Sequence, residues 1–383
     1  MIPYGRQEIV QSDIDAVISV LKSDFLTQGP KVPLFESSVS GYCGSDYAVA
    51  VNSATSALHI ACLAIGLKEG DILWTSPNSF VASANCGLYC KAMVDFIDID
   101  AKTYNISSEA LEKKLIQAKI ENKLPKVVIP VHFAGQSCNM KKIYSLSKEY
   151  GFRIIEDASH AIGGKYLDKS IGCCQYSDIT VFSFHPVKII TTAEGGLATT
   201  NDKKIAEKMQ LLRSHGISRD KNLFTKKSEG DWYYQQLELG FNYRMTEMQA
   251  ALGLSQMKRL DEFVSTRHNC QKYYDELLKG LKITLPYQDP VCYSALHLYP
   301  IQLEDNEKSR KHVFQELRKN NIGVNVHYIP IYRQPFYKKM GFIKKDFPNS
   351  ENYYKNTISI PLFSGLTTEM QDEIAKILKL AIF

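Results

Sequence analysis

Through roughly the first two thirds of the 383-residue chain, short apolar runs alternate with stretches of helical spacing. Tyr47–Val51 reads as a strand, and Ser53–Ile65 then has helical spacing that opens on small residues. Asp71–Thr75 is a second strand, followed by a helix starting near Pro77-Asn78-Ser79. Val94–Asp98, Val127–Val131 and Phe152–Glu156 are further β-rich runs, with an amphipathic helix over Met140–Tyr150 between the last two. Alternating β and α units of this length predict an α/β fold with a mostly parallel sheet covered on both faces. Past Asn242–Thr246 the pattern changes. Helical spacing runs from Glu247 to Leu278 with a break near Asp261. Shorter candidates follow at Leu296–Leu303, Lys308–Lys319 and Gly323–Tyr328, and a last helix starts at Thr368. The chain is expected to form a large domain over residues 1–255 and a smaller α+β domain over 256–383.

Composition narrows the classes. With 44% hydrophobic and 23% charged residues, this is ordinary globular material. The net charge of +5 comes from 46 basic and 41 acidic residues, without long basic runs. That argues against nucleic acid as a partner and is compatible with an anionic small substrate. Nine scattered cysteines, none in a CxxC pair, read as reduced core thiols of a cytoplasmic protein. The opening MIPYGRQEIV lacks the apolar core of a signal peptide, and no run is long enough to span a bilayer. Neither a membrane nor a metal is expected.

In open α/β sheets, ligands bind at the carboxyl ends of strands. Val51-Asn52-Ser53-Ala54-Thr55-Ser56 is a strand end that opens a helix with exposed amides and hydroxyls, an arrangement suited to a phosphate. The same residues would also serve as a plain helix cap. Neither GxxxxGK[ST] nor GxGxxG occurs here. Glu156-Asp157-Ala158-Ser159-His160 places two carboxylates and a histidine at another strand end. Alternation sends Glu156 and Asp157 to opposite faces, which disfavours a metal site. Asp157 suits a turn cap, or a partner for a protonated ring nitrogen. Phe80, near a third strand end, suits either the core or stacking on a planar ligand. Asn242 and Arg244 are polar groups in an aromatic loop, suited to phosphate or to an adjacent subunit.

The most informative segment is Phe182-Ser183-Phe184-His185-Pro186-Val187-Lys188, followed by Glu194-Gly195-Gly196. A lysine in such an apolar, aromatic run is either a snorkelling side chain at a strand end or an amine made nucleophilic by burial.

In chain order these stretches resemble the DegT/DnrJ/EryC1/StrS sugar aminotransferase family. Asn52–Leu58, Glu156–His160, Ser183–Lys188, Glu194–Gly196 and Gly240–Met245 carry the resemblance, which runs from Ile2 to near the C-terminus. It departs from the pattern at Ile189, where proline often follows the lysine, and at Ala193, where glycine is common. The resemblance implies a fold-type I transferase that uses pyridoxal 5'-phosphate (PLP). A dehydratase on the same fold would carry histidine in place of Lys188.

The resemblance also implies roles. Lys188 would hold PLP as a Schiff base and move protons, and Asp157 would face the pyridine nitrogen. Phe80 would stack on the ring. His160 would bond the ring hydroxyl or Asp157. Ala54, Thr55, Ser56 and Ser183 would hold the phosphate, with Asn242 reaching it from the other subunit of a homodimer. Asp24–Gly29, Ser53–His59, Arg213–Gly216 and Val326–Tyr332 place the chain nearest to members acting for pseudaminic acid synthesis. Those members take a UDP-linked 4-keto-6-deoxy-N-acetylhexosamine as acceptor and L-glutamate as donor. Tyr4, Asp24, Phe25, Leu26, Thr27, His185, His327, Tyr328, Ile329 and Tyr332 would line the sugar pocket.

Overall fold

The computed structural model describes residues 1–304 and 309–382. After two N-terminal helices, α1 (Gln11–Leu21) and α2 (Lys31–Cys43), the alternation read from the sequence begins. It runs β1 (Tyr47–Val51), α3 (Ala54–Ala64), β2 (Ile72–Thr75), α4 (Ala82–Tyr89) and β3 (Met93–Phe96), then α5 (Ser108–Ile120), β4 (Val127–Ile129), α6 (Met140–Tyr150) and β5 (Arg153–Asp157). A small hairpin follows, β6 (Lys165–Tyr166) and β7 (Lys169–Ser170), and then β8 (Ile179–Ser183) and β9 (Gly196–Thr200). The helix expected near Pro77–Ser79 starts three to five residues later, at Ala82, because residues 76–79 form a buried turn whose carbonyls and side chains bond elsewhere.

Seven strands form one sheet in the order β1-β9-β8-β5-β4-β2-β3. All ladders are parallel except those of β9, which runs antiparallel to both β1 and β8. The carboxyl ends of β1, β2, β5 and β8 therefore share one edge, and Gly196 at the start of β9 joins them. β8 and β9 are buried along their whole length, so both sheet faces are covered. Gly196 is required where it stands. A Cβ there would lie 2.4 Å from the Ala54 nitrogen, so only glycine lets β9 pass this close to the start of α3.

After α7 (Lys203–Arg213), a short ladder of β10 (Ile217–Ser218) and β11 (Gln235–Gln236) leads to α8 (Glu247–Met257) and α9 (Leu260–Leu277). The helix break is thus one turn before Asp261. The expected boundary at residues 255/256 falls at the end of α8. The first half of α9, through Leu260, Phe263 and Val264, packs into a core shared with Phe182 and Phe184. Its second half, through Cys270 and Tyr274, packs into a separate core with Ile301, Val313, Ile358 and Ile374.

That second core covers a small antiparallel sheet of β12 (Ile283–Thr284), β14 (Tyr299–Leu303) and β15 (Thr357–Ile360). Between them β13 (Cys292–Tyr293) pairs back onto β6. The sheet is backed by α10 (Arg310–Lys319) and by the last helix, Thr368–Ile382. The expected start of α10 at Lys308 lies outside the described residues. Gly323–Tyr328, one of the shorter candidates, makes an isolated bridge from Asn325 to Ser359, while the Gly323 amide donates to the Ile2 carbonyl and the Tyr328 amide to Asn78 of the large layer. Ile331, Tyr332 and Tyr337 return into the core beneath β3.

Candidate active site

Lys188 lies in the connection between β8 and β9. That loop is pinned at its base, where the Phe184 nitrogen donates to the Gly195 carbonyl (2.9 Å) and the Thr192 nitrogen to the Phe184 carbonyl (3.0 Å). Phe184, Ile189 and Ile190 bury themselves on either side of the lysine, so its position is set by apolar packing. Burial lowers the amine from 10.5 to about 8, partly opposed by the nearby Asp157 carboxylate. At pH 7 this raises the neutral, nucleophilic fraction about 300-fold, each pKa step being tenfold. Ala193 in the same loop adopts the left-handed region with φ +65°. That explains why glycine suits this position and why alanine is strained in it.

Asp157 and Lys188 face a common cleft of about 690 Å3. Asp157 is buried, and its carboxylate accepts from the Ser83 hydroxyl (2.6 Å), the Ser159 hydroxyl (2.6 Å) and the Ser159 amide (3.1 Å). Glu156 points to the other face of the sheet, where it meets His132 (2.6 Å) and Thr180 (2.9 Å). No cluster able to hold a metal ion occurs among the described residues.

The start of α3 forms another wall. The Ser53 hydroxyl caps the helix by accepting from the Ser56 amide (3.1 Å), leaving Ala54 and Thr55 at the cleft. Ser56 is a correction to the expected phosphate set. Its hydroxyl donates to Asn52 (2.6 Å) and its amide is spent on the cap, so it does not line the cleft. Ser183 does, at the end of β8. Phe80 is 60% exposed and stands over the cleft, which an aromatic core residue would not do.

His160 lines the cleft, but its bonding differs from one of the two expectations. Its Nε2 pairs with the Tyr328 hydroxyl (3.0 Å), and Asp157 is taken by serines instead. Its buried Nδ1 has no partner among the described residues. His297 packs against it at 4.4 Å between ring centroids. Burial holds His160, His297 and His327 neutral, and the Lys188 charge adds to this in all three; His327 is lowered to about 3.

Tyr4, His185, His327, Tyr328 and Ile329 line the same cleft. The 327–331 segment is docked on the Phe80 loop, with the Tyr328 amide donating to Asn78 (3.2 Å) and the Ile331 amide to the Pro77 carbonyl (3.0 Å). Tyr332 is a correction. It is buried in the core, stacked on Phe347, with its hydroxyl on Glu351 (2.8 Å). It lies four residues on from Tyr328, within the 3-10 turn at Ile331–Arg333, buried on the core side. Asp24, Phe25, Leu26, Thr27 and Asn242 do not reach this cleft either. All five are exposed, and a bridge from Thr27 to Thr246 sets the two stretches on one surface.

Sequence reasoning assigned no role to Ser83, Ser159, His297, Asn325 or Gln334, which structure places at the cleft or on Asp157. Ser159 stood inside a motif. Ser79 and Ser83 share one helix-start face at i,i+4 spacing, a signal too common to read alone. His297, Asn325 and Gln334 arrive from distant chain.

An amine poised near neutrality, opposite a clamped carboxylate and beside a helix start and an open aromatic ring, is a donor set that fits PLP. A profile of the DegT/DnrJ/EryC1/StrS aminotransferase family matches residues 7–379. The chain belongs to that family. A UDP-4-amino-4,6-dideoxy-N-acetyl-beta-L-altrosamine transaminase of Campylobacter jejuni is 41% identical, over 100% of this chain and 97% of that protein. Spore coat polysaccharide biosynthesis protein SpsC of Bacillus subtilis is 36% identical over 97% and 95%. Among solved structures, Helicobacter pylori PseC, an aminotransferase of pseudaminic acid biosynthesis, superposes with a TM-score of 0.90 at 33% identity, covering 100% and 99% of the chains. The sugar aminotransferase Spr1654 of Streptococcus pneumoniae, in its PMP form, gives 0.91 at 29% identity, covering the same shares. The fold is that of fold-type I aminotransferases, and PLP is the cofactor of this family member.

Proposed function

We propose that this aminotransferase moves the amino group of L-glutamate to C4 of a UDP-linked 4-keto-6-deoxy-N-acetylhexosamine. The acceptor would be UDP-2-acetamido-2,6-dideoxy-β-L-arabino-hexos-4-ulose, and the product UDP-4-amino-4,6-dideoxy-N-acetyl-β-L-altrosamine. One observation carries the reading: the cleft that holds Lys188 and Asp157 is walled on its outer side by neutral rings and amides, namely Tyr4, His327, Tyr328 and Asn325. Such a wall offers hydrogen bonds and apolar faces to an uncharged sugar ring, and the name of the Campylobacter relative supports the particular sugar.

Lys188, Asp157, Thr55, Ser183 and Phe80 would hold PLP. Bound there, PLP supplies a carbonyl that captures amines and a ring that withdraws electrons. Lys188, neutral in part at pH 7, takes and returns the proton at the amino-bearing carbon. Asp157 keeps the ring nitrogen charged. His160, with Nδ1 unpartnered among the described residues and Nε2 on Tyr328, offers one ring position to a bound group.

The site is proposed to be shared by a homodimer. Lys188 is the only lysine or arginine among the described lining residues, yet a diphosphate and glutamate's carboxylates need cations. Asn242 and Asp24–Thr27 are exposed, and in the proposed dimer they would complete a second copy's cleft. No helix among the described residues is long and apolar enough to cross a membrane, and a cytoplasmic location is proposed. The alternative is a different nucleotide keto-sugar, which the similarity to SpsC keeps in view. Incubation with glutamate and a panel of UDP- and dTDP-linked 4-keto sugars tests the choice. Amination of the UDP N-acetyl sugar alone is expected, and amination of only a dTDP sugar would overturn it.

A further inference from the structure

Asp157 is held more completely than a turn-capping aspartate needs to be. An ionised carboxylate offers about four lone-pair sites. Three are occupied, by the Ser83 hydroxyl on Oδ2 and by the Ser159 hydroxyl and amide on Oδ1. One remains for a donor coming from the cleft. Ser83 has two other acceptors in reach, the Phe80 carbonyl at 3.4 Å and the Ser79 hydroxyl at 2.8 Å. The 2.6 Å contact to a charged oxygen is the strongest of the three, so the Ser83 proton goes to Asp157 and Ser79 donates to Ser83. The result is a directed chain, Ser79 to Ser83 to Asp157, sealed from water: Ser79 and Ser83 are 4% and 0% exposed. Because Ser79 precedes Phe80, the same chain ties the ring-stacking loop to the carboxylate.

We propose that Ser83 and Ser159, with Ser79 behind them, are positioning residues that hold the Asp157 carboxylate aimed at the cofactor's ring nitrogen, and so set how much positive charge that nitrogen keeps. This deepens the PLP reading and rests on it. The physics is a competition for one proton. Each hydroxyl that donates to the carboxylate spreads its charge and makes it a weaker base. Remove a hydroxyl, and the proton shared between ring nitrogen and Asp157 moves toward the carboxylate. The ring then withdraws electrons less strongly, and the proton on the Lys188-linked nitrogen is held more tightly.

The test is the visible absorption of the PLP-loaded protein titrated with pH, together with the rate of PLP release. The other titratable groups facing the cleft (Tyr4, His160, His185, Glu194, His297, His327, Tyr328) are common to wild type and variants, so a difference reports the hydroxyl. Ser83→Ala should raise the midpoint of the spectral transition by about half a pH unit or more, as expected for a lost charge-assisted hydrogen bond. PLP release should speed several-fold. Ser159→Ala should act in the same direction, and Ser159→Thr, which keeps the hydroxyl at this half-buried position, should restore the wild-type midpoint.

If Ser83→Ala does not fold, the Ser159 pair decides by the same criterion. Unchanged midpoints in folded alanine variants would overturn the proposal, as would equal shifts in Ser159→Ala and Ser159→Thr, which would be packing alone. A wild-type protein that shows no Lys188-dependent visible band would instead overturn the PLP assignment itself.

Discussion

The lowered basicity of Lys188 has a quantitative consequence for how the apoprotein takes up PLP. Attack on the cofactor's carbonyl requires the neutral amine, so the recombination rate should follow its population. With the amine at about 8, the rate between pH 7 and pH 9 should rise about tenfold and then level off. An ordinary lysine at 10.5 would give a rise of about a hundredfold over the same interval, still climbing at pH 9. Stopped-flow absorbance after mixing apoprotein with PLP measures this directly. Asp157→Asn removes the charge that raises the amine, so the midpoint should move below 8. A curve still climbing steeply past pH 9, or an upward move in Asp157→Asn, would refute the assignment of burial as the dominant cause.

The same displacement affects stability. The unfolded chain binds a proton at Lys188 that the folded chain has released between about pH 8 and 10.5, so stability rises with pH through that window. Below it, the buried ammonium costs at most about 3 kcal/mol, the equivalent of the fall from 10.5 to about 8. Apo Lys188→Met should therefore be more stable than apo wild type at pH 7, with the difference closing above pH 10; urea unfolding at both pH values checks this.

Four further outcomes are expected. In the proposed homodimer, Lys188→Ala and Asn242→Ala should each be inactive, and reassembling a one-to-one mixture should restore about a quarter of wild-type activity, since half the dimers would be mixed and each would have one intact site. Tyr332→Phe should lower stability by about 1–2 kcal/mol through the lost bond to Glu351, with sugar KM unchanged. Tyr328→Phe removes the hydroxyl on His160 at the cleft and should also change the kinetics, with a stability loss of similar size. Ala193→Gly should stabilise the protein by up to about 1 kcal/mol by relieving the left-handed alanine, measurable in denaturant titration.

Much of this protein was legible in the sequence because its chemistry is carried by local stretches at strand ends. The alternating runs predicted β1, α3, α6 and β5 to within a residue or two, since period and capping are properties of neighbouring residues. Lys188, Asp157, Phe80 and Thr55 could be picked out because each stands where a strand stops, and parallel strands must bring those ends to one edge. Glu156 and Asp157 parted to opposite faces by alternation alone.

Tertiary structure decided what depends on distant partners. Ser56 and Tyr332 sit in motifs beside true lining residues, yet one is consumed by a helix cap and the other by Glu351. His160 pairs with Tyr328, 168 residues away, and Asp157 with Ser83, 74 residues away; no local pattern encodes such bonds. The lysine's lowered basicity is likewise a property of the walls around it. A single chain can specify which groups reach an edge, but how hard each one holds a proton is set by what the fold packs against it.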